Sequence, residues 1–411
     1  MLQVTNQQRV KPWMGFVLFA ILMVLFIFVC IPMQSAWGIA GLVATEAIFL
    51  ILAVVFGLVF RIPFKEMFPV KKFTARDLFG SLFLSTGGAL FGLISVAVVG
   101  IIFPVSLGGG DVQALNQYIG GDAGYIFTMF ALALMPAICE ESIHRGAILT
   151  CFRSVKKDWL IILIMAAFFG LFHVSALRFI STAIMGACLT YILIRKNNML
   201  LTSLTHFILN ISSSTISYLS VRIAGSAGAG GNAGSAIQMT ADSMKVALGT
   251  YLMIGFGAPF LIVIGLMLLD PSSHKKIRFL FAGILSVIML ISAVTITITN
   301  NMGTNMIAQS SISYTVEVEN TDSPPIGFSV ENEGQYTMAV VIMNTSGAGT
   351  YSVRIEDSKG KVVSSGMITS SAFKTYTAQI ELEPGNYMLY INNGTGTKGN
   401  HPMVSFQLNK S

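Results

Sequence analysis

The chain has 411 residues, of which 54% are hydrophobic and 11% are charged, and its mean hydropathy is +0.72. A soluble globular domain carries roughly 25% charged residues, so this composition excludes an ordinary soluble protein and predicts that most of the chain lies in lipid. The net charge of +6 does not indicate a nucleic-acid partner, because Lys and Arg cluster in short loops between apolar runs. The four cysteines all lie in apolar stretches and predict no disulfide framework.

Apolar runs dominate the first three quarters of the chain. A membrane-spanning helix needs about 20 mostly apolar residues. Nine runs are predicted to span: 13–33, 38–60, 79–104, 125–150, 159–177, 179–194, 198–220, 246–269 and 279–299. We interpret the first as a retained anchor and not as a cleaved signal peptide, because further spans follow it directly. Residues 1–300 are therefore predicted to form an all-α polytopic membrane bundle of about nine transmembrane helices.

The basic residues predict the orientation of this bundle. One set of alternate loops contains the basic clusters at 61–76, 153–157, 195–196 and 275–278, whereas the other set contains only Arg178, Arg222 and Lys245. Cytoplasmic loops carry the excess of Lys and Arg. We therefore expect an integral protein of the cell membrane with its N-terminus in the cytoplasm and, after nine spans, its C-terminus outside.

The composition changes near residue 303. Apolar and polar residues then alternate, with turn sequences at Asp357–Gly360 and Pro384–Gly385. Alternation with period two between such turns is typical of a small antiparallel sandwich. Residues 303–411 are therefore predicted to be an extracytoplasmic, all-β sandwich-like domain with a binding or shielding role. The sequence does not name its ligand.

Besides Glu46 in the second span, ionisable residues interrupt three of the predicted spans. Such residues cost roughly 2.5–3.5 kcal/mol each on insertion scales and usually mark a functional site. The fourth span contains Glu140, Glu141, His144 and Arg145, the fifth ends with His173, and the seventh contains His206 and Asn210. With a helical rise of about 1.5 Å per residue, the three groups lie at similar depths in the membrane. They are therefore expected to meet inside the bundle.

The spacing of these residues also indicates chemistry. Glu141 and Arg145 are four residues apart and can form a charge pair on one helix face. His206 and Asn210 share a face for the same reason. A carboxylate with a histidine can polarise water for attack on a carbonyl, and a second histidine with an amide can donate hydrogen bonds to the oxyanion. This set of residues suits amide hydrolysis in a membrane cavity.

Three short motifs in the chain are similar to those of a known protein family. In order along the chain they are Glu140-Glu141-x-x-x-Arg145, Phe169-x-x-x-His173 and His206-x-x-x-Asn210. Together they look like the CAAX-protease and bacteriocin-processing (CPBP) family of intramembrane endopeptidases, over a motif core of residues 125–215. The resemblance implies that Glu140 and His173 activate water. It also implies that His206 and Asn210 form the oxyanion hole, and that Glu141 and Arg145 support the site.

Four further residues have open or structural interpretations. His144 lies one turn after Glu140 and either tunes that carboxylate or has a structural or cytoplasm-facing role. Glu46, in the second span, either serves the site or snorkels outward. Phe169 is expected to pack between helices, and Arg178 is expected to be an anchor at the lipid boundary.

The sequence is compatible with a zinc site and with a metal-free site. Two histidines and a glutamate could hold zinc with a water in the fourth position. There is no His-Glu-x-x-His helix, and a carboxylate pair beside an arginine suits proton transfer at least as well. A metal-free mechanism is favoured, with zinc as the alternative.

The main functional hypothesis is an intramembrane endopeptidase that uses a glutamate- and histidine-activated water. Its expected partners are membrane lipid and a membrane-associated or lipidated peptide or protein substrate. The alternatives are a non-catalytic membrane scaffold or bacteriocin-immunity protein with the same fold, and a transporter with a proton relay. A transporter should contain internal repeats, and none is seen by eye between the two halves of the sequence.

Overall fold

The computed structural model describes residues 10–103, 124–226, 241–273, 276–303, 306–343, 350–368 and 374–410. It separates into two compact units. The first unit contains Met1–Arg222 and Gly234–Ile298, and the second contains Ile223–Ala233 and Thr299–Ser411. The first unit is helical and the second is built from strands.

Ten longer helices lie in the described part of the chain. They are α1 (Pro12–Trp37), α2 (Ile39–Val59), α3 (Ala75–Ile102), α4 (Tyr125–Cys151), α5 (Asp158–Phe172), α6 (Phe179–Lys196), α7 (Met199–Ser226), α8 (Ala241–Gly255), α9 (Ala258–Leu269) and α10 (Lys276–Gly303). Both α1 and α4 contain π-helical turns. Short helical turns at Phe64–Met67 and Pro271–Ser273 complete the set.

Length and apolarity qualify six of these helices as membrane spans among the described residues: α1, α2, α3, α4, α6 and α10. A seventh is obtained if α8 and α9, which meet at 44°, form one bent span. The structure thus has a helix at each of the nine predicted positions, but the count of nine spans is not confirmed. The two helices that fall short are α5, which is only 15 residues long, and α7, which is rich in Ser and Thr.

Aromatic packing joins α1, α2, α4 and α5. Phe19 stacks on Phe168 with ring centroids 4.1 Å apart. One to two turns further along these helices, Phe172 contacts Phe26 at 5.0 Å and Phe49 at 5.1 Å. Offset and edge-to-face pairs of this kind add to the apolar packing energy, and they fix the end of α5 against α1 and α2.

Helix α3 provides the other side of the helical unit. It packs along α6, α8 and α9. Small residues make these approaches close: a Cβ atom at Gly87 would lie 2.7 Å from Ile262, and one at Gly92 would lie 3.1 Å from Ser181. Small residues at helix interfaces are typical of membrane bundles. Here they bring α3 against α6 beside the predicted site.

The strand unit contains two antiparallel sheets. The strands are β1 (Met306–Ser313), β2 (Thr321–Asp322), β3 (Ile326–Val330), β4 (Gly334–Met343), β5 (Tyr351–Asp357), β6 (Val362–Ile368), β7 (Lys374–Leu382), β8 (Gly385–Asn393) and β9 (Met403–Lys410). One sheet has the order β1-β9-β4-β7, and the other has the order β2-β8-β5-β6 with β3 also paired to β8. The predicted turns fall between β5 and β6 and between β7 and β8.

Both sheets contribute to one apolar core, which includes Met338 and Phe406 from the first sheet and Ile355 and Leu389 from the second. Alternate residues of β9 and β5 are buried, which is the period-two pattern that the sequence showed. At the β5–β6 turn, Asp357 Oδ1 accepts hydrogen bonds from the backbone N–H groups of Lys359 and Lys361 at 2.8 and 2.9 Å.

Candidate active site

Helix α4 places four ionisable side chains inside the helical unit. Glu141, His144 and Arg145 are fully buried, and Glu140 is 8% exposed. The helix changes from α- to π-helical geometry over Ser142–Ile148. π-Helical turns are rare and frequently occur at functional sites. This one contains His144 and Arg145, directly after the two glutamates.

A buried ion pair lies at the base of the site. Arg145 Nη1 donates to Glu141 Oε1 at 2.9 Å, and Arg145 Nη2 donates to the carbonyl oxygen of Gly186 on α6 at 3.2 Å. The guanidinium carbon lies 4.3 Å from the centre of the Phe169 ring. Arg145 therefore joins α4, α5 and α6 through an ion pair, a hydrogen bond and a cation–π contact.

His206 on α7 contacts both glutamates. Its Nδ1 lies 3.1 Å from the same Glu141 oxygen that Arg145 contacts. A carboxylate can only accept, so Nδ1 carries a proton when this hydrogen bond is made. On the other side of the ring, Nε2 lies 4.0 Å from Glu140 Oε2, which is too long for a direct hydrogen bond. Glu141 thus fixes the imidazole ring, and Nε2 faces the Glu140 carboxyl group.

His173 lies at the end of α5. The sequence predicts a span to residue 177, but the helix ends at Phe172 and Val174 has a φ of +47°. A β-branched residue in this left-handed region is strained. His173 Nδ1 lies 2.8 Å from the Phe169 carbonyl oxygen. Because a carbonyl only accepts, Nδ1 is the protonated nitrogen there, and Nε2 of the neutral ring has a free lone pair.

Phe169 lies at the centre of the histidines. Its ring centroid is 4.9 Å from that of His173, 5.2 Å from His144 and 6.0 Å from His206. The expected packing role is therefore combined with contacts to four site residues. His144 is enclosed between Phe169 and Phe172, and its Nδ1 lies 3.0 Å from the Glu140 carbonyl oxygen. It does not reach the surface.

A cavity of about 370 Å³ opens beside these residues. It is lined by His173, His206 and Asn210 from the predicted set, and by Phe169. The rest of its wall comes from α3, from α6 and from the residues just before α6, as follows: Ala89, Gly92, Leu93, Val96, Leu177, Arg178, Ser181, Thr182 and Met185. The six predicted site residues therefore converge, with Glu140, Glu141 and Arg145 behind a wall that contains both histidines and the asparagine.

Sequence reasoning missed part of this wall. Ser181 and Thr182 belong to no motif, and Arg178 was expected only to anchor the helix at the lipid boundary. Nothing in the local pattern distinguished them, because their role depends on which helix lies beside α5. Glu46 is 3% exposed, so it does not snorkel outward, and its carboxyl group is close enough to Glu140 for the two to interact electrostatically.

A metal ion would need several ligands close together. Within the described ranges, no three His, Cys, Asp or Glu side chains lie together as metal ligands. One oxygen of Glu141 and Nδ1 of His206 are engaged with each other and with Arg145. These contacts leave His173 Nε2, His206 Nε2 and the Glu140 carboxyl group facing the cavity region, so the metal-free mechanism and zinc both stay predictions.

Three solved structures match parts of the chain with low TM-scores. An isomalto-dextranase of Arthrobacter globiformis T6, complexed with panose, is 20% identical with a TM-score of 0.17, over 20% of this chain and 15% of that one. The carbohydrate-binding module CBM6cm-2 of Cellvibrio mixtus lichenase 5A, in complex with cellotriose, is 15% identical with a TM-score of 0.18, over 26% of this chain and 92% of that one. The C-terminal CBM6 of the laminarinase LamC from Zobellia galactanivorans is 14% identical with a TM-score of 0.16, over 26% and 76%.

These scores are too low to support any statement about fold or function. No curated protein matches the chain.

A family model does match the segment that forms the site. Residues 122–212, about a fifth of the chain, match the model described as type II CAAX prenyl endopeptidase Rce1-like. The matched segment includes all six predicted site residues and α5 and α6 between them. The match confirms the resemblance that the three motifs indicated: over this segment, the chain is similar to the CAAX protease family.

Proposed function

We propose that the chain is an intramembrane endopeptidase that hydrolyses peptide bonds of membrane-associated or lipidated peptides or proteins. One observation supports this most strongly: His173, His206 and Asn210, from two different helices, line one cavity beside the buried Glu140, Glu141 and Arg145. A purely structural role would not require two histidines and an amide to line the same cavity. The family match supports a peptidase, and the finer assignment rests on this geometry.

In the proposed mechanism, Glu140 and His173 orient a water molecule in the cavity. His173 accepts a hydrogen bond from the water through Nε2, because its Nδ1 is engaged with Phe169. Glu140 removes a proton as the water oxygen attacks the carbonyl carbon. The same proton is then delivered to the leaving amine, so that the C–N bond breaks and the carboxyl group forms.

His206 and Asn210 stabilise the oxyanion in this proposal. The Asn210 amide donates one hydrogen bond and His206 Nε2–H donates the other. His206 must therefore carry protons on both nitrogens at this step. Glu141 holds Nδ1 in place, and Arg145 holds Glu141. No step of this proposal passes through a metal ion, and zinc is the alternative that the test below distinguishes.

The test compares the membrane proteomes of cells that produce the wild-type chain or the Glu140→Gln variant. New peptide termini near membrane boundaries should be present with the wild type and absent with the variant, and they would identify the substrates. Addition of 1,10-phenanthroline to purified enzyme should leave cleavage of such a substrate unchanged, and loss of cleavage that zinc restores would show the metal alternative to be correct.

The opposite proteomic result would favour a scaffold or immunity protein. If terminus profiles are identical and Glu140→Gln still restores every cellular phenotype of a deletion, the hydrolase proposal is wrong. Equal amounts of the two proteins in the membrane, measured by immunoblotting, are the control for both results.

A further inference from the structure

One charged side chain of the cavity wall has no part in the proposed mechanism. Arg178 lies between α5 and α6 and lines the cavity with His173 and His206. It is close enough to Glu140 and His173 to interact with both electrostatically. Arg178 therefore lines the same cavity as the two histidines, whereas an arginine that only anchors a helix would extend toward the lipid headgroups.

Hydrogen bonds fix the backbone of Arg178 and leave its guanidinium group available. The backbone N–H donates to Ser175 Oγ at 3.4 Å, and the carbonyl oxygen accepts from Ser181 Oγ at 2.8 Å and from Thr182 Oγ1 at 2.9 Å. The side chain is exposed. Across the described part of the chain, no carboxylate forms an ion pair with it.

The rest of the cavity wall predicts the chemistry of the ligand. None of the lining residues is acidic, and Arg178 is the charged one among two histidines, Asn210, Ser181 and Thr182. The remainder of the wall is apolar or small, with Leu93, Val96 and Met185 as examples. A planar guanidinium group matches a carboxylate with two parallel hydrogen bonds. An apolar peptide segment with a carboxylate close to the scissile bond fits this wall.

We propose that Arg178 binds a carboxylate of the peptide substrate and so selects which peptides enter the cavity. The carboxylate comes either from the free C-terminus of the peptide or from an acidic side chain near the scissile bond. This proposal rests on the proposed peptide-hydrolase function, because it requires a peptide in the cavity. It makes Arg178 a specificity residue of that site.

The test measures binding without turnover, with the purified full chain in phosphatidylcholine nanodiscs and in the Glu140→Gln background. Three fluorescent N-lauroyl pentapeptides of Ala, Leu and Val are compared: one with a free C-terminal carboxylate, one with a C-terminal amide, and one with a C-terminal amide and a single Asp. The neutral amide should bind about tenfold more weakly than at least one of the acidic peptides, as for the loss of one charge-assisted hydrogen-bonded pair. Which acidic peptide binds tightly identifies the source of the carboxylate.

Substitutions at Arg178 then assign the preference. In Arg178→Gln the ratio of acidic to neutral affinity should fall to about one, whereas Arg178→Lys, which keeps the charge without the two-pronged geometry, should retain part of it. Lys156→Gln removes an exposed positive charge from the loop after α4 and should leave the ratio unchanged. Equal thermal unfolding of the variants shows that a change in the ratio does not come from misfolding.

Several results would overturn the proposal. One such result is equal affinity of all three peptides for the protein that retains Arg178. Another is a preference for the acidic peptides that survives in Arg178→Gln. An Arg178-dependent affinity for phosphatidylglycerol, with no difference between acid and amide peptides, would assign the arginine to a lipid phosphate instead.

Cleavage is followed separately with Glu140 intact. Acid-selective binding without any cleavage would contradict the hydrolase proposal alone, and cleavage of all three peptides at equal rates would contradict the carboxylate site alone.

Discussion

At the scale of single residues, the Glu141–Arg145 pair determines the stability of the site. Both side chains are fully buried, and their charged atoms are 2.9 Å apart. Removing one partner leaves an uncompensated charge inside the protein, which typically costs about 3–5 kcal/mol. We therefore expect Arg145→Met to lower the unfolding temperature in detergent strongly. The four cysteines are all buried, so a thiol-reactive fluorescent dye that reports their exposure on heating can measure this.

A double variant separates the charge effect from loss of packing. Glu141→Gln removes the carboxylate charge and still offers an amide oxygen to His206 Nδ1. The Glu141→Gln/Arg145→Met double variant should therefore unfold at a higher temperature than Arg145→Met alone, because no unpaired charge stays buried. If the double variant is no more stable than the single variant, lost packing of the Arg145 side chain against Phe169 is the main cause.

Asn210 is expected to act on the reaction and not on the fold. Its side chain lines the cavity and is half-buried. Removing one oxyanion-hole donor typically lowers kcat by about 10²–10³-fold. Asn210→Ala should therefore lower kcat for a validated substrate by that factor and leave KM and the unfolding temperature nearly unchanged.

Ser217→Ala, on the same helix, is the matched control, since the Ser217 hydroxyl donates to the backbone carbonyl of Ser213. It should keep wild-type kcat. An Asn210→Ala enzyme with normal kcat would remove the asparagine from the oxyanion hole.

Contacts within one helix were more predictable than contacts between helices. The spacing of four residues between Glu141 and Arg145 is enough to predict that they share a helix face, and the structure shows the pair. The bridge from His206 to both glutamates follows from the packing of α7 against α4, which the sequence does not specify. The sequence also does not specify the ring contacts of Phe169, because they depend on where α5 ends.

At the scale of helices, α6 connects the ion pair to the cavity. It has no catalytic motif, but the Gly186 carbonyl accepts from Arg145, and a Cβ atom at Gly186 would lie 2.7 Å from Phe169 Cβ. Gly186→Ala should therefore push α6 away from α5 and displace both Arg145 and Phe169. We expect it to lower kcat at least tenfold, since small displacements of catalytic groups can cost about 10²-fold.

A second glycine in a membrane helix provides the control. A Cβ atom at Gly283 on α10 would come no closer than 3.9 Å to its neighbour, Phe260. Gly283→Ala should keep full activity and gain up to about 1 kcal/mol of helix propensity. If Gly186→Ala behaves in the same way, the close contact between α5 and α6 does not position the site.

The positions of the helices could be predicted far better than the residues at which they end or the stretches with π-helical geometry. Apolar runs locate a helix at every predicted span, because hydropathy alone determines which segments enter lipid. The sequence did not reveal that α5 stops at Phe172 or that α4 becomes π-helical after Glu141, since both depend on tertiary contacts. The two helices that are too short or too polar for a simple span, α5 and α7, end beside or contain His173 and His206. The helices that carry these histidines thus depart from a simple span, α5 in its length and α7 in its polarity.

At the scale of the whole molecule, the two units have separate cores. The described strand unit buries 19 side chains in one apolar cluster of its own, and the cavity lining comes entirely from the helical unit. The sequence predicts a boundary near residues 300–303, where helical hydropathy changes to period-two alternation, and the last segment of the strand unit begins at Thr299. The sequence does not predict the ligand of the strand unit. The buried residues specify a sandwich core, whereas exposed residues specify ligand recognition.

Separate cores predict separate folding. A chain of residues 303–411 should be soluble, should show a β-type far-UV circular dichroism spectrum and should unfold cooperatively on heating. Phe406 is fully buried and packs on Phe328 at 4.9 Å, so Phe406→Ala should lower the free energy of unfolding by about 3–5 kcal/mol. Val318 is 61% exposed, and Val318→Ala should stay within about 0.5 kcal/mol of the parent.

The complementary chain, residues 1–303, tests whether the strand unit takes part in the reaction. If the strand unit only recruits or shields, this shortened chain should cleave a diffusible lauroyl peptide at the full-length rate and lose activity on a large membrane substrate. Loss of cleavage of both substrates by a shortened chain that still reaches the membrane would show that the strand unit contributes to the reaction itself. The isolated strand unit would then be expected to restore activity when it is added back to the shortened chain.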